Sequence, residues 1–146
     1  MTTKSHITLD DFWPYQVVVL ADQISRHTLS VVKAQADLNL SQWRVLAAVA
    51  EQPGRTAAEV TAITPMDKTI VSRAVSSLIE SGLISKISDT SDKRRSSLSA
   101  TQLGQDIYAK VAAHLNAALM DDTDRGTTPQ DFTQMLKTYS EKMRQL

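Results

Sequence analysis

The stretch Thr64-Pro-Met-Asp-Lys-Thr-Ile-Val-Ser-Arg-Ala-Val-Ser-Ser-Leu-Ile-Glu-Ser-Gly82 decides the fold that we predict for this chain. It predicts a helix over about 65–81, in which Thr64 is the capping residue and Pro65 occupies the first helical position. Gly82 suits the left-handed conformation that commonly ends a helix. The segment therefore has both a start signal and a stop signal.

The predicted helix has one apolar and one polar face. The apolar residues recur with helical spacing and are expected to be buried: they are Ile70, Val71, Ala74, Val75, Leu78 and Ile79. The opposite face carries hydroxyls and bases, namely Lys68, Thr69, Ser72, Arg73, Ser76 and Ser77. Such side chains suit the major groove of DNA, where they can meet base edges and phosphates. Taken alone, the same face is more simply interpreted as a solvated one.

The composition is that of an ordinary globular protein of about one domain. Hydrophobic residues make up 42% and charged residues 22% of the 146 residues. The formal net charge is zero, which argues against binding to nucleic acid by bulk charge. Any positive charge that contacts DNA must therefore be concentrated locally.

Several kinds of site and location are disfavoured by residue content. The chain has no cysteine, and its three histidines are far apart in sequence, so we predict no metal site and no cofactor. Its start has no signal-peptide-like segment, and its apolar runs are far shorter than the roughly 20 residues of a membrane span. We therefore expect a cytoplasmic protein without a membrane partner.

Two short helices are predicted before the quoted segment. The first is capped by Ser41 and ends at Gln52-Pro-Gly54, and the second starts with Thr56-Ala-Ala-Glu59 and ends at Ile63-Thr-Pro65. Short helices joined by a tight turn, followed by a well-capped helix, are typical of a helix-turn-helix.

A hairpin with a basic tip is predicted after the quoted segment. Leu83–Ser88 and Ser96–Ala100 are expected to be strands, and the tip between them covers about 89–95. The tip contains Lys93, Arg94 and Arg95, which suit phosphates and the negative potential of a narrow minor groove. A solubilising charged turn is the alternative interpretation.

Long amphipathic helices are predicted at both ends of the chain. One runs over about 9–36 and opens at Asp10-Asp11, one runs from Thr101 to about Asp121, and one starts at Thr128. The last has an apolar stripe of Phe132, Met135, Leu136, Tyr139 and Met143. The terminal stripes need a cover, and a twofold protein matches an inverted-repeat DNA site, so we predict a homodimer.

Several spaced motifs in this order resemble the MarR family of winged helix-turn-helix transcriptional regulators. The resemblance runs from about Phe12 to the C-terminus and is densest in Asp67–Arg73, Leu78–Ile84 and Asp92–Arg95. Gln42–Leu46 is also similar to the family. A single domain over 1–146 is expected, mainly α with a small β-hairpin wing. Within it we expect a winged helix-turn-helix over about 41–104, flanked by dimerisation helices over about 9–36 and 101–146.

The predicted function is that of a homodimeric, sequence-specific DNA-binding regulator, most simply a repressor. Its predicted DNA-binding residues are Lys68, Thr69, Ser72, Arg73, Ser76, Lys93, Arg94 and Arg95. Arg73 is the candidate for a guanine contact. The resemblance implies that Arg94 enters the minor groove and that Asp92 orients it.

The resemblance also implies induction by a small aromatic or anionic effector. A cleft near five residues is the candidate pocket: Trp13, Tyr15, His27, Trp43 and Arg44. A winged-helix module that binds proteins without a DNA operator is the alternative function. An enzyme is the least favoured class, because no cofactor loop or paired catalytic groups can be identified.

Overall fold

A computed structural model of the chain describes residues 5–88, 91, 95–121 and 125–146. A short 3-10 turn at Leu9–Asp11 precedes α1 (Trp13–Ala36), α2 (Leu40–Glu51), α3 (Ala57–Ile63), α4 (Lys68–Glu80), β1 (Ile84–Ser88), β2 (Ser96–Ala100), α5 (Gln102–Leu119) and α6 (Pro129–Arg144). The fold is mainly α with a small antiparallel hairpin, as the sequence predicts. The chain divides into two compact units, Met1–Val111 and Ala112–Leu146.

The core of the first unit lies behind α4. The largest fully buried side chains include Val45, Leu46 and Val49 of α2, Val60 of α3, Val71 and Leu78 of α4, and Leu98 of β2. Each such side chain contributes about 1.5 to 3 kcal/mol through removal from water. Ile70 and Ile79, predicted as part of the buried stripe, are 39% and 38% exposed because they lie at its two edges. The core therefore fixes one face of α4 and leaves the other accessible.

The hairpin is tied to the helices by a third short segment. In the hairpin, Lys86 pairs with Leu98. On its other side, Leu98 accepts a hydrogen bond from the Gly54 backbone N–H at 2.8 Å and donates one to the Arg55 carbonyl at 2.9 Å. Thr56 also forms a bridge with Ser97. Because a lone two-stranded hairpin is only marginally stable, these bonds support the wing.

The start of α5 packs tightly against the turn that follows α4. The Thr101 hydroxyl donates to the Gly82 carbonyl at 2.6 Å and accepts from the Gly104 backbone N–H at 3.1 Å. A Cβ atom on Gly104 would lie 2.0 Å from the Leu83 carbonyl oxygen. Glycine is therefore the residue that this close approach requires.

The helix α4 starts later than the sequence predicts. Thr64 does not cap it: this residue ends α3, and its hydroxyl donates to the Val60 carbonyl at 2.9 Å. The Asp67 carboxylate is the cap, accepting from the Ile70 backbone N–H at 2.9 Å. Residues before proline avoid the helical backbone, and Thr64 is extended, so α3 ends there. Pro65 and Met66 are not helical but connect α3 to the cap of α4.

Two other helix starts also differ from the prediction. Asn39, and not Ser41, caps α2: its side chain accepts from the Gln42 backbone N–H at 2.8 Å, and the Gln42 Oε1 accepts from the Asn39 N–H at 2.9 Å. This reciprocal pair satisfies two backbone donors at once.

The first long helix begins at Trp13, because Asp10-Asp11 lies in the preceding 3-10 turn. The predicted caps of α3 and α6, Thr56 and Thr128, are confirmed.

The second unit leaves an apolar helix face open in the single chain. α6 is described throughout, and none of its residues is buried. Its predicted stripe is present and exposed: Phe132, Met135, Leu136, Tyr139 and Met143. Within the first unit, α1 likewise exposes several large apolar side chains, including Trp13, Val18 and Ile24. Among the described residues, none of the helices combines the length and hydropathy that crossing a bilayer requires.

Candidate nucleic-acid interface

The outward face of α4 carries the polar residues that the sequence assigns to it. Those predicted for DNA contact are all exposed, namely Lys68, Thr69, Ser72, Arg73 and Ser76. Val71, Ala74, Val75 and Leu78 are buried on the opposite face. A hydroxyl-rich and basic surface is thus held on a helix that the core supports from behind.

A groove of about 910 Å³ lies between α4 and the hairpin. Lys68, Ser72 and Ser76 line it from α4, and Lys86 and Arg95 line it from the hairpin. The beginning of α3 also contributes to the lining, through Thr56, Ala57 and the acidic Glu59. The groove brings basic side chains from two separate elements onto one concave surface.

Lys86 is a groove residue that the sequence analysis missed. It lies in β1 opposite Leu98, and both residues line the groove. A search for basic residues in the hairpin tip does not find Lys86, whereas the register of the two strands would identify it. With Leu98 known to be buried, its partner across the pair must lie on the same face of the hairpin.

Arg73 borders a different cleft from Lys68, Ser72 and Ser76. This second cleft, of about 350 Å³, is lined by Asn39, Ser41, Gln42, Ile70, Arg73, Ala74 and Ser77. It lies between α4 and the start of α2, whereas the larger groove lies between α4 and the hairpin. The exposed surface of α4 is therefore flanked by a concavity on each side.

The tip of the hairpin is described only in part. Arg95 is exposed and lines the groove beside α4. Asp92, Lys93 and Arg94 lie outside the described residues. Their roles therefore remain predictions from the sequence.

The comparisons with known proteins converge on one family. Residues 36–95 match a family model described as the MarR family. The predicted resemblance to the MarR family is confirmed. The matched segment contains α2, α3, α4 and β1, so it covers the helix-turn-helix and the larger groove's α4 wall. Among curated proteins, a sequence comparison finds no match.

Solved MarR-family structures share the fold over nearly the whole chain. A MarR/EmrR family regulator from Acinetobacter sp. ADP1 aligns with a TM-score of 0.81 and 21% identity, covering 96% of this chain and 100% of its own. The regulator SlyA aligns with a TM-score of 0.70 and 24% identity, covering 89% of each chain. CouR from Rhodococcus jostii RHA1, solved with p-coumaroyl-CoA, aligns with a TM-score of 0.72 and 22% identity, covering 92% of this chain and 93% of its own. At these identities the likeness shows a common fold.

Two of the five predicted pocket residues meet in one cleft of this MarR-type fold. The cleft, of about 380 Å³, contains Trp43 and Arg44 of α2 and Tyr108 of α5. The rings of Trp43 and Tyr108 stack with centroids 5.7 Å apart. The lining also includes Ala47, Ala48, Glu51, Ile63, Thr64 and Pro65.

The other three predicted pocket residues do not line this cleft. Trp13, Tyr15 and His27 are exposed on α1. The Arg44 guanidinium does reach α1, where it donates to the Ser25 hydroxyl at 3.4 Å. Within the part of the chain that the structure describes, no group of three His, Asp or Glu side chains could hold a metal ion.

Proposed function

We propose that this protein is a sequence-specific DNA-binding transcription regulator that places α4 in the major groove and the hairpin tip in the adjacent minor groove. The observation that carries the proposal is the groove in which Lys68, Ser72 and Ser76 of α4 face Lys86 and Arg95 of the hairpin. An α-helix fits the major groove of B-DNA. Basic side chains on both walls can neutralise phosphates on either side of it.

Individual roles follow from the chemistry of each side chain. Arg73 is proposed to read a guanine edge, to which arginine can donate two hydrogen bonds. The remaining contacts to bases, phosphates or the minor groove are assigned to Lys68, Thr69, Ser72, Ser76, Lys93, Arg94 and Arg95. Asp92 is proposed to orient Arg94. An exposed ion pair contributes only about 0 to 1 kcal/mol to stability, so the proposed role of this pair is to orient the Arg94 side chain.

The functional form is proposed to be a homodimer on an inverted repeat. The exposed apolar stripe of α6 and the exposed apolar residues of α1 supply surfaces that a second copy can cover. A twofold dimer presents two copies of α4 to two half-sites. In this scheme the single domain over 1–146 uses about 41–104 for DNA and the segments about 9–36 and 101–146 for dimerisation.

The regulator is proposed to act as a repressor that a small aromatic or anionic effector releases from DNA. Its cleft offers the Arg44 guanidinium beside the stacked Trp43 and Tyr108 rings, which suits an aromatic acid. The same cleft includes Thr64 and Pro65 of the α3–α4 connector, so an occupant would contact the segment that leads into α4. CouR, one of the structures of similar fold, carries p-coumaroyl-CoA.

The test is selection of duplex DNA from a random-sequence library long enough for two half-sites. The wild-type protein should enrich an inverted repeat and bind it more tightly than a scrambled duplex of equal length. Its binding constant should fall with added salt, with a logarithmic slope of about −0.9 per neutralised phosphate. Failure to enrich any duplex would overturn the proposal and favour the protein-binding module.

A further inference from the structure

The side chain of Gln42 links α2 to α4. Its Nε2 donates to the Ser77 hydroxyl of α4 at 2.7 Å. Its Oε1 accepts from the Asn39 backbone N–H at 2.9 Å, as part of the cap of α2. Both ends of one amide are therefore occupied, one at the start of α2 and the other on α4. This fixes the orientation of the amide and gives Ser77 a partner of defined position.

Ser77 lies at the border between the buried and exposed faces of α4. It is half-buried, one turn after the exposed Arg73, and both residues line the same cleft beside α2. The apolar contacts of Val71 and Leu78 hold α4 against the core, but such contacts are not directional. A hydrogen bond at the edge of the helix restricts rotation about its axis, because it has a preferred distance and angle.

Small rotations of α4 matter for reading bases. With side chains included, a helix has a radius of about 6 Å, so a rotation of about 10° moves a side-chain tip by about 1 Å. Hydrogen bonds to base edges hold over only a few tenths of an ångström. Contacts to phosphates tolerate such a shift better, because long-range attraction contributes much of their strength.

We propose that Gln42 is a positioning residue for DNA recognition, setting the rotation of α4 through Ser77 and thereby the direction in which Arg73 meets the bases. The inference rests on the proposed function. When the bond is absent, α4 samples several rotations, and the apparent affinity falls with the fraction that is competent to bind. Specific binding should suffer while binding to scrambled DNA persists.

Ser77→Ala is the main variant, because it removes the hydroxyl and leaves the cap of α2 intact. Alanine also favours the helix, so α4 itself is not weakened. Affinity for the duplex that the wild type selects should fall on the order of 3- to 10-fold, the size of one net hydrogen bond. Affinity for a scrambled duplex should stay constant, and Ser77→Thr, which keeps the hydroxyl, should restore specific binding.

A double-mutant cycle with Gln42→Met separates positioning from direct DNA contact. If Ser77 acts through Gln42, then Ser77→Ala should cause no further loss in the Gln42→Met background. The matched control is Ser81→Ala, because the hydroxyl of Ser81, the residue after α4, donates to the carbonyls of Ser77 and Leu78 within the same helix. This control should bind as the wild type does.

Three results would overturn the inference. Wild-type affinity and specificity in both Ser77→Ala and Gln42→Met would show that the bond does not position α4. Additive losses in the double variant would assign Ser77 a separate contact. A wild-type protein that selects no duplex would overturn the proposed function together with the inference, whereas the first two results leave that function standing.

Discussion

The helices α4 and α6 are both amphipathic, yet their apolar faces have opposite environments. In α4, Val71 and Leu78 are 1% and 0% exposed, and the face that remains accessible is polar. In α6, Phe132 and Tyr139 are 37% and 45% exposed, and the accessible face includes the apolar stripe. The chain therefore buries the apolar face of α4 itself, whereas it leaves the apolar stripe of α6 exposed to water.

The difference indicates what each helix needs from its surroundings. Burial of the α4 stripe supplies several side chains' worth of hydrophobic stabilisation, at about 1.5 to 3 kcal/mol each. The helix α6 has 16 residues, little more than the length of about 12 to 15 below which isolated helices are marginal in water, so most of its stability must come from packing of its apolar face. The comparison predicts that the first unit is sensitive to changes in its own core and the second to changes in self-association.

Gly104→Ala is expected to have the largest effect on stability, because the first unit leaves no room for the added Cβ atom. The added Cβ would lie 2.0 Å from the backbone oxygen of Leu83, which cannot move as a flexible side chain would. The free energy of unfolding should fall by about 3 kcal/mol, at the upper end of overpacking effects. Urea unfolding followed by circular dichroism measures the loss.

Gln105→Ala is the matched control for the glycine substitution. Gln105 follows Gly104 in α5 and is exposed, so its substitution should change the free energy of unfolding by no more than about 0.5 kcal/mol. Equal stability of the Gly104→Ala variant and the wild type would contradict the packing at the start of α5.

Leu136→Asp tests the second half of the comparison. A charge in the centre of the α6 stripe should weaken association by about 2 kcal/mol or more, because a carboxylate would have to be buried. That change corresponds to a roughly 30-fold weaker dimer. Light scattering across a concentration series should detect dimers of the wild type and monomers of the variant.

Gln134→Asp places the same charge on the polar side of α6 and should leave the dimer intact. A wild-type protein that is monomeric at micromolar concentration would remove the proposed role of α6. Equal dimerisation of the two aspartate variants would show that the stripe does not form the interface.

The sequence predicts those parts of the fold that depend on local signals. Spacing and residue type predict the apolar stripe of α4 and the caps Thr56 and Thr128. They also predict the order of the elements, with the hairpin between the first four helices and the last two. Two of the three wrong helix starts, those of α2 and α4, occur where two capping candidates lie close together. Asp67 caps α4 in place of Thr64 because Met66, between them, is buried in the connector instead of in a first helical turn.

The candidate site is predictable only as far as one element defines it. Helical periodicity places Lys68, Ser72 and Arg73 on the exposed face of α4 without knowledge of the fold. Lys86 joins the groove through strand register, which the local sequence does not specify. Gln42 and Ser77 are 35 positions apart, so their contact depends on how α2 packs against α4.

The measurement that tests DNA recognition most directly is a fluorescence anisotropy titration of the selected duplex. We expect Arg73→Ala to cost about 1 to 3 kcal/mol of binding free energy, and Arg94→Ala to weaken binding as well. Arg26→Ala is the control, since Arg26 is exposed on α1 and paired with Asp22 at 2.6 Å, and it should bind as the wild type does. Unchanged affinity in both Arg73→Ala and Arg94→Ala would contradict DNA recognition by α4 and the hairpin tip.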